Sequence, residues 1–294
     1  MTTVAVLGTG RMGSAMAQRL GEAGHDVRVW NRSPEAADKA AQAAHGSVAA
    51  SAPEAAAGAE LVMSVFATGE VTSSVLGDPE FLSAVSPSTP VCDMATSGLD
   101  TALALASTYA NHDRLFVDSP VSGSVPSVLS GSLLVMASGP EDAVNAASMT
   151  MSAFAKRVAY LGAAGNGQSM KLAVNLVVHA LNSAVAEGLA LAGAAGISRE
   201  DAYDVLLDSS VAAPYVGYKQ AAFLGTDGPV AMSVDLVAKD LGLIGQRSRD
   251  LGLTLSTLDA VSEEIAAARA AGFGGADMAD VVRFLSGEEA PQRP

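Results

Sequence analysis

A chain of 294 residues with 49% apolar content can bury a sizeable core, which excludes wholesale disorder and leaves room for one large domain or two ordinary ones. Its 31 acidic residues against 17 basic ones give a formal charge of -14, which argues against nucleic acid or an anionic membrane as the main partner. Cys92 is the one cysteine, so no intramolecular disulfide and no cysteine-based zinc cluster can be built, and a reducing cytoplasm is the expected compartment.

The first apolar run, Val4 to Leu7, lacks a basic leader and ends in glycines, so it reads as a buried strand and not as a secretion signal. Elsewhere apolar stretches are broken by Gly, Ser or charge before 18 residues, so no membrane span is expected. Up to about residue 160, short β-prone runs alternate with Ala-rich helical patterns, the rhythm of a parallel sheet covered by helices. Strands are expected at Val4 to Leu7, Asp26 to Trp30, Glu60 to Val65, Pro90 to Asp93, Arg114 to Val117, Leu133 to Ser138 and Arg157 to Tyr160. Between Leu161 and Asn166, Gly162 and Gly165 punctuate the chain and mark the expected domain boundary. Beyond it a proline-free apolar run predicts one long helix from Ser169 to Ala195. Further helical patterns follow at Arg199 to Asp208, Tyr215 to Phe223, Val234 to Leu251, Leu255 to Ala271 and Met278 to Leu285, and the polar tail Ser286 to Pro294 reads as frayed.

Directly after the first strand comes Gly8-Thr9-Gly10-Arg11-Met12-Gly13, and directly after that an amphipathic run from Met12 to Leu20. Three glycines at this spacing serve a tight turn, close approach of backbone to a pyrophosphate, and close packing of helix on strand. Strand, glycine turn and helix in this order predict a dinucleotide bound by Gly8, Gly10, Arg11, Met12 and Gly13, with its phosphates on helix N-terminal amides. The fold class is therefore α/β: a Rossmann-type, doubly wound, mostly parallel sheet over residues 1–161, followed by an all-helical domain over 162–294, built on one long helix. At the end of the second strand, where an NAD site usually carries Asp or Glu, the chain has Trp30-Asn31-Arg32-Ser33. Arg32 can hold a 2′-phosphate, with Asn31 and Ser33 as neutral donors, which favours NADP over NAD. The alternative is a solvated arginine ahead of the helix start at Ser33-Pro34.

Asp118-Ser119-Pro120-Val121-Ser122-Gly123-Ser124 follows the strand ending at Val117, at the carboxyl end of the sheet where ligands bind. Such a Ser-Gly-Ser turn offers hydroxyls and unobstructed amides to a carboxylate, and it reads equally well as a polar loop. In Gly165-Asn166-Gly167-Gln168-Ser169-Met170-Lys171-Leu172-Ala173-Val174-Asn175, Lys171 and Asn175 lie four apart on one helix face that His179 continues. A lysine near the start of an apolar helix is poorly placed for the helix dipole. It is either a proton donor beside a cofactor or a snorkelling surface side chain. No His, Cys and Asp cluster with ligand spacing occurs, so no metal is expected.

Taken together, Gly8-x-Gly10-x-Met12-Gly13, Asp118-x-Pro120-Val121-Ser122-Gly123, Gly165-x-Gly167-x-x-x-Lys171-x-x-x-Asn175 and Lys239-Asp240-Leu241 resemble the signatures of the β-hydroxyacid dehydrogenase family. That family includes 3-hydroxyisobutyrate dehydrogenases, tartronate semialdehyde reductases and glyoxylate/succinic semialdehyde reductases, and the resemblance covers nearly the whole chain. It implies a small β-hydroxyacid and its semialdehyde as substrates, Lys171 as catalytic acid/base, Ser122, Gly123 and Ser124 around the substrate carboxylate, and Asn175 in substrate positioning. By the same resemblance Phe66, Ala67, Thr68, Thr96 and Lys239 lie on the cofactor, Asp240 supports them, and the chain forms a homodimer or homotetramer. Ser124 stands where many members have glycine, Ala67 where proline is common, and Met232 where phenylalanine usually precedes the Lys-Asp pair. The aromatics of Pro214-Tyr215-Val216-Gly217-Tyr218 through Phe223 either line the pocket or pack the core. Imine reductases resemble the family in fold but usually lack the lysine, and chromatin-associated relatives that bind cofactor idly tend to lose it too. 6-Phosphogluconate dehydrogenases resemble the N-terminal part and have a much longer helical region.

Overall fold

The computed structural model describes residues 1–226 and 230–291, which form two compact units, one spanning Met1–Lys171 and the other running from Leu172 onward.

In the first unit, six strands pair in parallel: β1 (Thr3–Leu7), β2 (Asp26–Trp30), β3 (Ser47–Val48), β4 (Leu61–Ser64), β5 (Pro90–Asp93) and β6 (Leu115–Asp118). Their order, β3-β2-β1-β4-β5-β6, is doubly wound, so the connections reverse direction between β1 and β4 and open a crevice at the carboxyl ends there. Val4 to Leu7 are fully buried because β1 is central and covered on both faces. Alternate residues serve opposite cores: Val4, Val6, Val27 and Val29 pack with Met16 and Leu20, while Ala5, Leu7, Val62 and Val91 pack with Phe81 and Tyr109. Helices Arg11–Glu22 and Pro34–Ala44 meet backbone to backbone. A Cβ at Gly21 would lie 1.9 Å from the Ala44 carbonyl oxygen, so only glycine permits this approach.

After β6 the strand rhythm continues, but not in the same sheet. Strands β7 (Val121–Ser122), β8 (Leu133–Ala137) and β9 (Ala155–Tyr160) form a separate three-stranded sheet in that order, with β7 antiparallel to β8. An isolated antiparallel bridge, Asp118 with Ser138, ties it to β6, and the Ser138 hydroxyl adds a side-chain bond to Asp118. Pro120 has no N–H to carry a ladder onward, and its carbonyl instead accepts from the Met136 N–H at 2.9 Å. The runs at Leu133 and Arg157 are strands, as their composition predicts, but register and partner are long-range properties that periodicity does not contain.

The long helix spans Asn166–Ala194 and starts three residues before the Ser169 expected from sequence. Its first amides are taken by side chains: Gly167 N–H donates to Ser138 Oγ at 3.0 Å and Gln168 N–H to Asp118 Oδ2 at 2.9 Å. By length and mean apolarity alone this helix is long enough to cross a membrane, but Lys171, Asn175, Ser183 and Glu187 interrupt its apolar run. Its buried Leu172, Val185, Ala186 and Leu189 belong to the core of the second unit with Tyr203, Phe223 and Ile265.

That second unit continues with helices Arg199–Asp208, Pro214–Phe223, Val234–Asp250 and Ser256–Ala268, a π-turn at Arg269–Phe273, a 3-10 turn at Met278–Asp280 and a last helix Val281–Leu285. Lys219 and Asp277, each at least 94% buried, pair at 2.5 Å inside it. Tyr215 is a core residue here: it is buried and its hydroxyl donates to Asn182 Oδ1 at 2.6 Å, whereas Tyr218 is exposed with its ring edge-on to Tyr215. Met232 is half-buried against the same core. Of the tail expected to fray, Gln292 to Pro294 lie outside the described residues. Glu288 does not hang free, because it pairs with Arg199 and with Arg283.

Candidate active site

At the β1/β4 reversal the glycine turn takes its shape from steric necessity. Gly8 has φ 90°, and a Cβ there would lie 2.6 Å from the Val65 carbonyl oxygen; one on Gly13 would lie 2.0 Å from the Gly8 oxygen. Gly10 meets nothing within 4 Å. It is the N-cap of helix Arg11–Glu22, makes no side-chain cap bond, and has no acidic residue in the following turn. A helix N-terminus with uncapped amides behind an open glycine suits an anion. Beside it, Thr9 Oγ1 is buried and lacks a hydrogen-bond partner among the described residues, a polar atom whose cost a bound phosphate or its water would remove. Exposed Arg11 and half-buried Met12 begin the helix, Met12 against the sheet core.

Asn31 fastens the end of β2 to this turn, accepting from the Thr9 N–H at 3.3 Å and donating to the Ser33 carbonyl at 3.3 Å. Arg32 and Ser33 are exposed, and among the described residues no carboxylate pairs with Arg32. After β4, half-buried Phe66 stands edge-on to Trp30 at 6.5 Å, Ala67 is exposed, and Thr68 caps helix Gly69–Leu76. These residues and the glycine turn occupy carboxyl ends of neighbouring strands, the position where a dinucleotide sits in this topology.

Half-buried Thr96 lies in the loop after β5, and Ser122 and Gly123 follow β6. The latter pair is not a free loop: Ser122 is the last residue of β7, and Gly123, at φ 134°, would drive a Cβ to 2.8 Å from Leu133 and 2.9 Å from Ser127. Ser124 is half-buried and its N–H donates to Ser127 Oγ at 3.3 Å, so it starts the short helix Val125–Leu129. Lys171, half-buried, lies within the first two turns of the long helix and in the same compact unit as Thr96 and Ser122.

Beneath these residues runs a buried polar network, of which the sequence marks Asp118 but not Asp93, Ser138 or the role of Gln168. Asp93 and Asp118 stand in register on β5 and β6 and are both fully buried. Asp118 accepts from Ser138 Oγ, the Gln168 N–H and Gln168 Nε2, each at 2.9 to 3.0 Å. Burial raises its carboxyl above the usual range, and these hydrogen bonds pull it partly back. Asp93 accepts from Ser64 Oγ at 3.0 Å and the Ala95 N–H at 3.3 Å, and its Oδ2 lacks a hydrogen-bond partner among the described residues. Burial pushes Asp93 up to about 7 against several opposing hydrogen bonds, with Asp118 adding to the rise. Cys92, fully buried on β5, has a thiol pushed far up by burial. The visible clue was an amide, Gln168, at the start of an otherwise apolar helix.

Within the helical unit a second buried cluster surrounds Asp240. Asn175 Nδ2 donates to Asp240 Oδ2 at 2.6 Å, half-buried Lys239 places Nζ 3.1 Å from Oδ1, and His179 Nε2 lies 3.7 Å from Oδ2. Two signatures apart in the sequence, Asn175 on the long helix with His179 and the Lys239-Asp240 pair, are thus brought together. Asp240 orients the Asn175 amide and steadies the Lys239 ammonium, which leaves the Asn175 carbonyl oxygen directed by the same bond. Among the described residues no group of three or more His, Cys, Asp and Glu side chains is placed to hold a metal ion.

A 3-2-1-4-5-6 sheet with a glycine turn at its reversal, followed by a helical unit, defines a Rossmann-type NAD(P)-binding protein. The family profile described as "NAD binding domain of 6-phosphogluconate dehydrogenase" matches residues 3–162, and that described as "NAD-binding of NADP-dependent 3-hydroxyisobutyrate dehydrogenase" matches residues 165–285. A probable 3-hydroxyisobutyrate dehydrogenase of Mycobacterium tuberculosis is 33% identical over 97% of this chain and 98% of its own length. An L-threonate dehydrogenase of Cupriavidus necator is 31% identical over 98% and 97% respectively. A crystal structure of a 3-hydroxyisobutyrate dehydrogenase from Salmonella typhimurium superposes with a TM-score of 0.90, at 25% identity, over 97% of this chain and 100% of that one. The chain belongs to the β-hydroxyacid dehydrogenase family of NAD(P)-dependent oxidoreductases.

Proposed function

We propose that this protein interconverts a small β-hydroxyacid, of the 3-hydroxyisobutyrate type, and its semialdehyde, with NADP as the preferred cofactor and Lys171 as general acid/base. The observation that carries the reading is the placement of Lys171 on the first turns of a helix whose leading amides are bonded to Asp118 and Ser138, the residues that frame the Ser122-Gly123 turn. When bound, the nicotinamide supplies or takes up the hydride.

In the reductive direction the Lys171 ammonium gives a proton to the developing alkoxide oxygen, and in the oxidative direction the neutral amine takes it back. Proton release from lysine therefore favours the oxidative direction at alkaline pH. Ser122 Oγ and the Gly123 N–H hold the substrate carboxylate, so that binding energy distant from the reacting carbon orients it. Asn175, one turn beyond Lys171 on the same helix and fixed by Asp240, orients the substrate oxygen. Arg32, exposed and without a carboxylate partner among the described residues, holds the 2′-phosphate. A carboxylate-bearing aldehyde of two to five carbons is the substrate range.

The test follows NADPH consumption with semialdehydes, glyoxylate and cyclic imines for the intact protein and for Lys171→Ala. Turnover of a carboxylate-bearing aldehyde is expected, falling roughly a hundredfold or more in the variant while NADPH affinity is kept. Near-normal turnover by Lys171→Ala overturns the lysine assignment, and turnover of imines alone overturns the substrate class.

A further inference from the structure

We infer that Gln168 is a positioning residue for the reaction, a single side chain that ties the Thr96 loop, the strand end leading to Ser122 and Gly123, and the helix turn bearing Lys171 into one rigid frame. The inference rests on the reading of Lys171 as the acid/base.

Gln168 is fully buried, and its side chain spends its polar atoms on the other site segments. Nε2 donates to the Ala95 carbonyl at 2.9 Å and to Asp118 Oδ1 at 3.0 Å, while Oε1 accepts from the Gly98 N–H at 3.2 Å. Ala95 and Gly98 bracket Thr96, and Asp118 opens the segment that turns at Ser122 and Gly123. The Gln168 N–H adds a fourth bond, to Asp118 Oδ2 at 2.9 Å.

Capping alone does not explain this arrangement. Asp118 and Ser138 already accept the leading N–H groups of the helix, so an apolar side chain at position 168 would leave the helix start capped. What the amide adds is the connection between segments. The approach is as close as the backbone permits, since a Cβ on Gly167 would lie 2.6 Å from the Met136 carbonyl oxygen and 2.7 Å from Asp118 Oδ2. Lys171 is three residues beyond Gln168 on the helix, so a small tilt or slide of this turn carries the ammonium with it. A misplacement of about 1 Å can cost on the order of a hundredfold in rate.

Two substitutions separate the frame from the fold. Gln168→Met keeps the length and deletes every side-chain hydrogen bond. Gln168→Glu keeps the shape but sets a carboxylate against Asp118, with Asp93 on the neighbouring strand and Lys171 on the same helix as the other titratable groups around it. Once protonated, the glutamic acid again donates to Asp118 and accepts from Gly98. Expected for both is a kcat roughly 10- to 100-fold below the parent, with KM and NADPH Kd within about threefold and one NADPH bound per chain by calorimetry. The Gln168→Glu deficit, taken relative to the parent, narrows as pH falls from 8 to 5.5, and the Gln168→Met deficit does not.

A readout independent of turnover is the ¹³C-dimethyl-lysine NMR signal of Lys171, which should shift or broaden in both variants while those of Lys39 and Lys156 stay in place. Parental kcat in both variants, or a loss of NADPH binding that parallels the loss of turnover, overturns the positioning role. Lys171→Ala run in parallel separates the two readings: full turnover there overturns the acid/base assignment, whereas parental Gln168 variants beside an inactive Lys171→Ala overturn only the frame.

Discussion

Replacing Asp93 by asparagine should flatten part of the dependence of stability on pH. The carboxyl has an ordinary value of 3.8 and is pushed up to about 7 in the folded chain, chiefly by burial and further by Asp118. Below the unfolded value both states hold the proton and this group costs nothing. As pH rises from about 4 to 7 the unfolded chain releases the proton and the folded chain keeps it, so the native state loses stability over that window. Above 7 both states are ionised and the loss is constant. A rise of about 3 units at roughly 1.4 kcal/mol each sets an upper figure of about 4 kcal/mol. Asparagine keeps an oxygen for Ser64 Oγ and the Ala95 N–H and titrates nothing, and it also relieves Asp118 of a charged neighbour. The assay is urea unfolding between pH 4 and 8 followed by emission of Trp30, the lone tryptophan, which lies in the same unit as Asp93. The difference between parent and variant should change by a few kcal/mol across the window, in the direction of a relatively weaker parent at higher pH. Curves that run parallel would refute the assignment of a raised, buried carboxyl, whatever their absolute separation.

Arg32→Asp should move the ratio of kcat/KM for NADPH over NADH towards NADH by tenfold or more, since it exchanges the cation for a group that repels the 2′-phosphate, and an unchanged ratio removes Arg32 from the cofactor site. Lys219→Met should destabilise the helical unit by about 3–5 kcal/mol, because it strands a buried carboxylate, and a change below about 1 kcal/mol in a denaturant titration would contradict that account. Burial alone would raise Asp277, but the Lys219 ammonium and the Ala279 and Ala231 N–H groups together outweigh it, and the net displacement is downward. The stabilisation is therefore present above the ordinary carboxylate range and fades as pH falls through the depressed folded value, so parent and variant should converge in acid.

The parts of the site that were legible in the sequence are those where one residue type answers a local demand. Gly8 and Gly13 are required by carbonyl oxygens within van der Waals exclusion, and β1, β2 and β5 fall at Thr3–Leu7, Asp26–Trp30 and Pro90–Asp93, within one residue of what the hydrophobic runs predict. The frame under the site was not legible, because its contacts between elements join positions 20 to 73 residues apart, as between Asp118 and Ser138 or Ala95 and Gln168. The Ser122-Gly123 turn illustrates the middle case: its chemistry was visible, but its two-residue pairing with β8 left no periodicity to read. The long helix was recognised from composition, yet its start was missed because Ser138 and Asp118, distant in sequence, supply its cap. In the same way Glu288 looked like tail until Arg199, 89 residues earlier, was found against it.

Cys92 has a practical consequence. Its sulfur sits in the middle of β5 with none of its surface exposed, and the thiolate that alkylating and oxidising reagents require is strongly disfavoured there. The folded chain is therefore silent towards maleimides and iodoacetamides without any prior mutation. A cysteine placed at an exposed position such as Met149 or Tyr218 would be the one reactive thiol per molecule. Spin labels, fluorophores or surface tethers could then be attached at a chosen point with β5 left as nature built it.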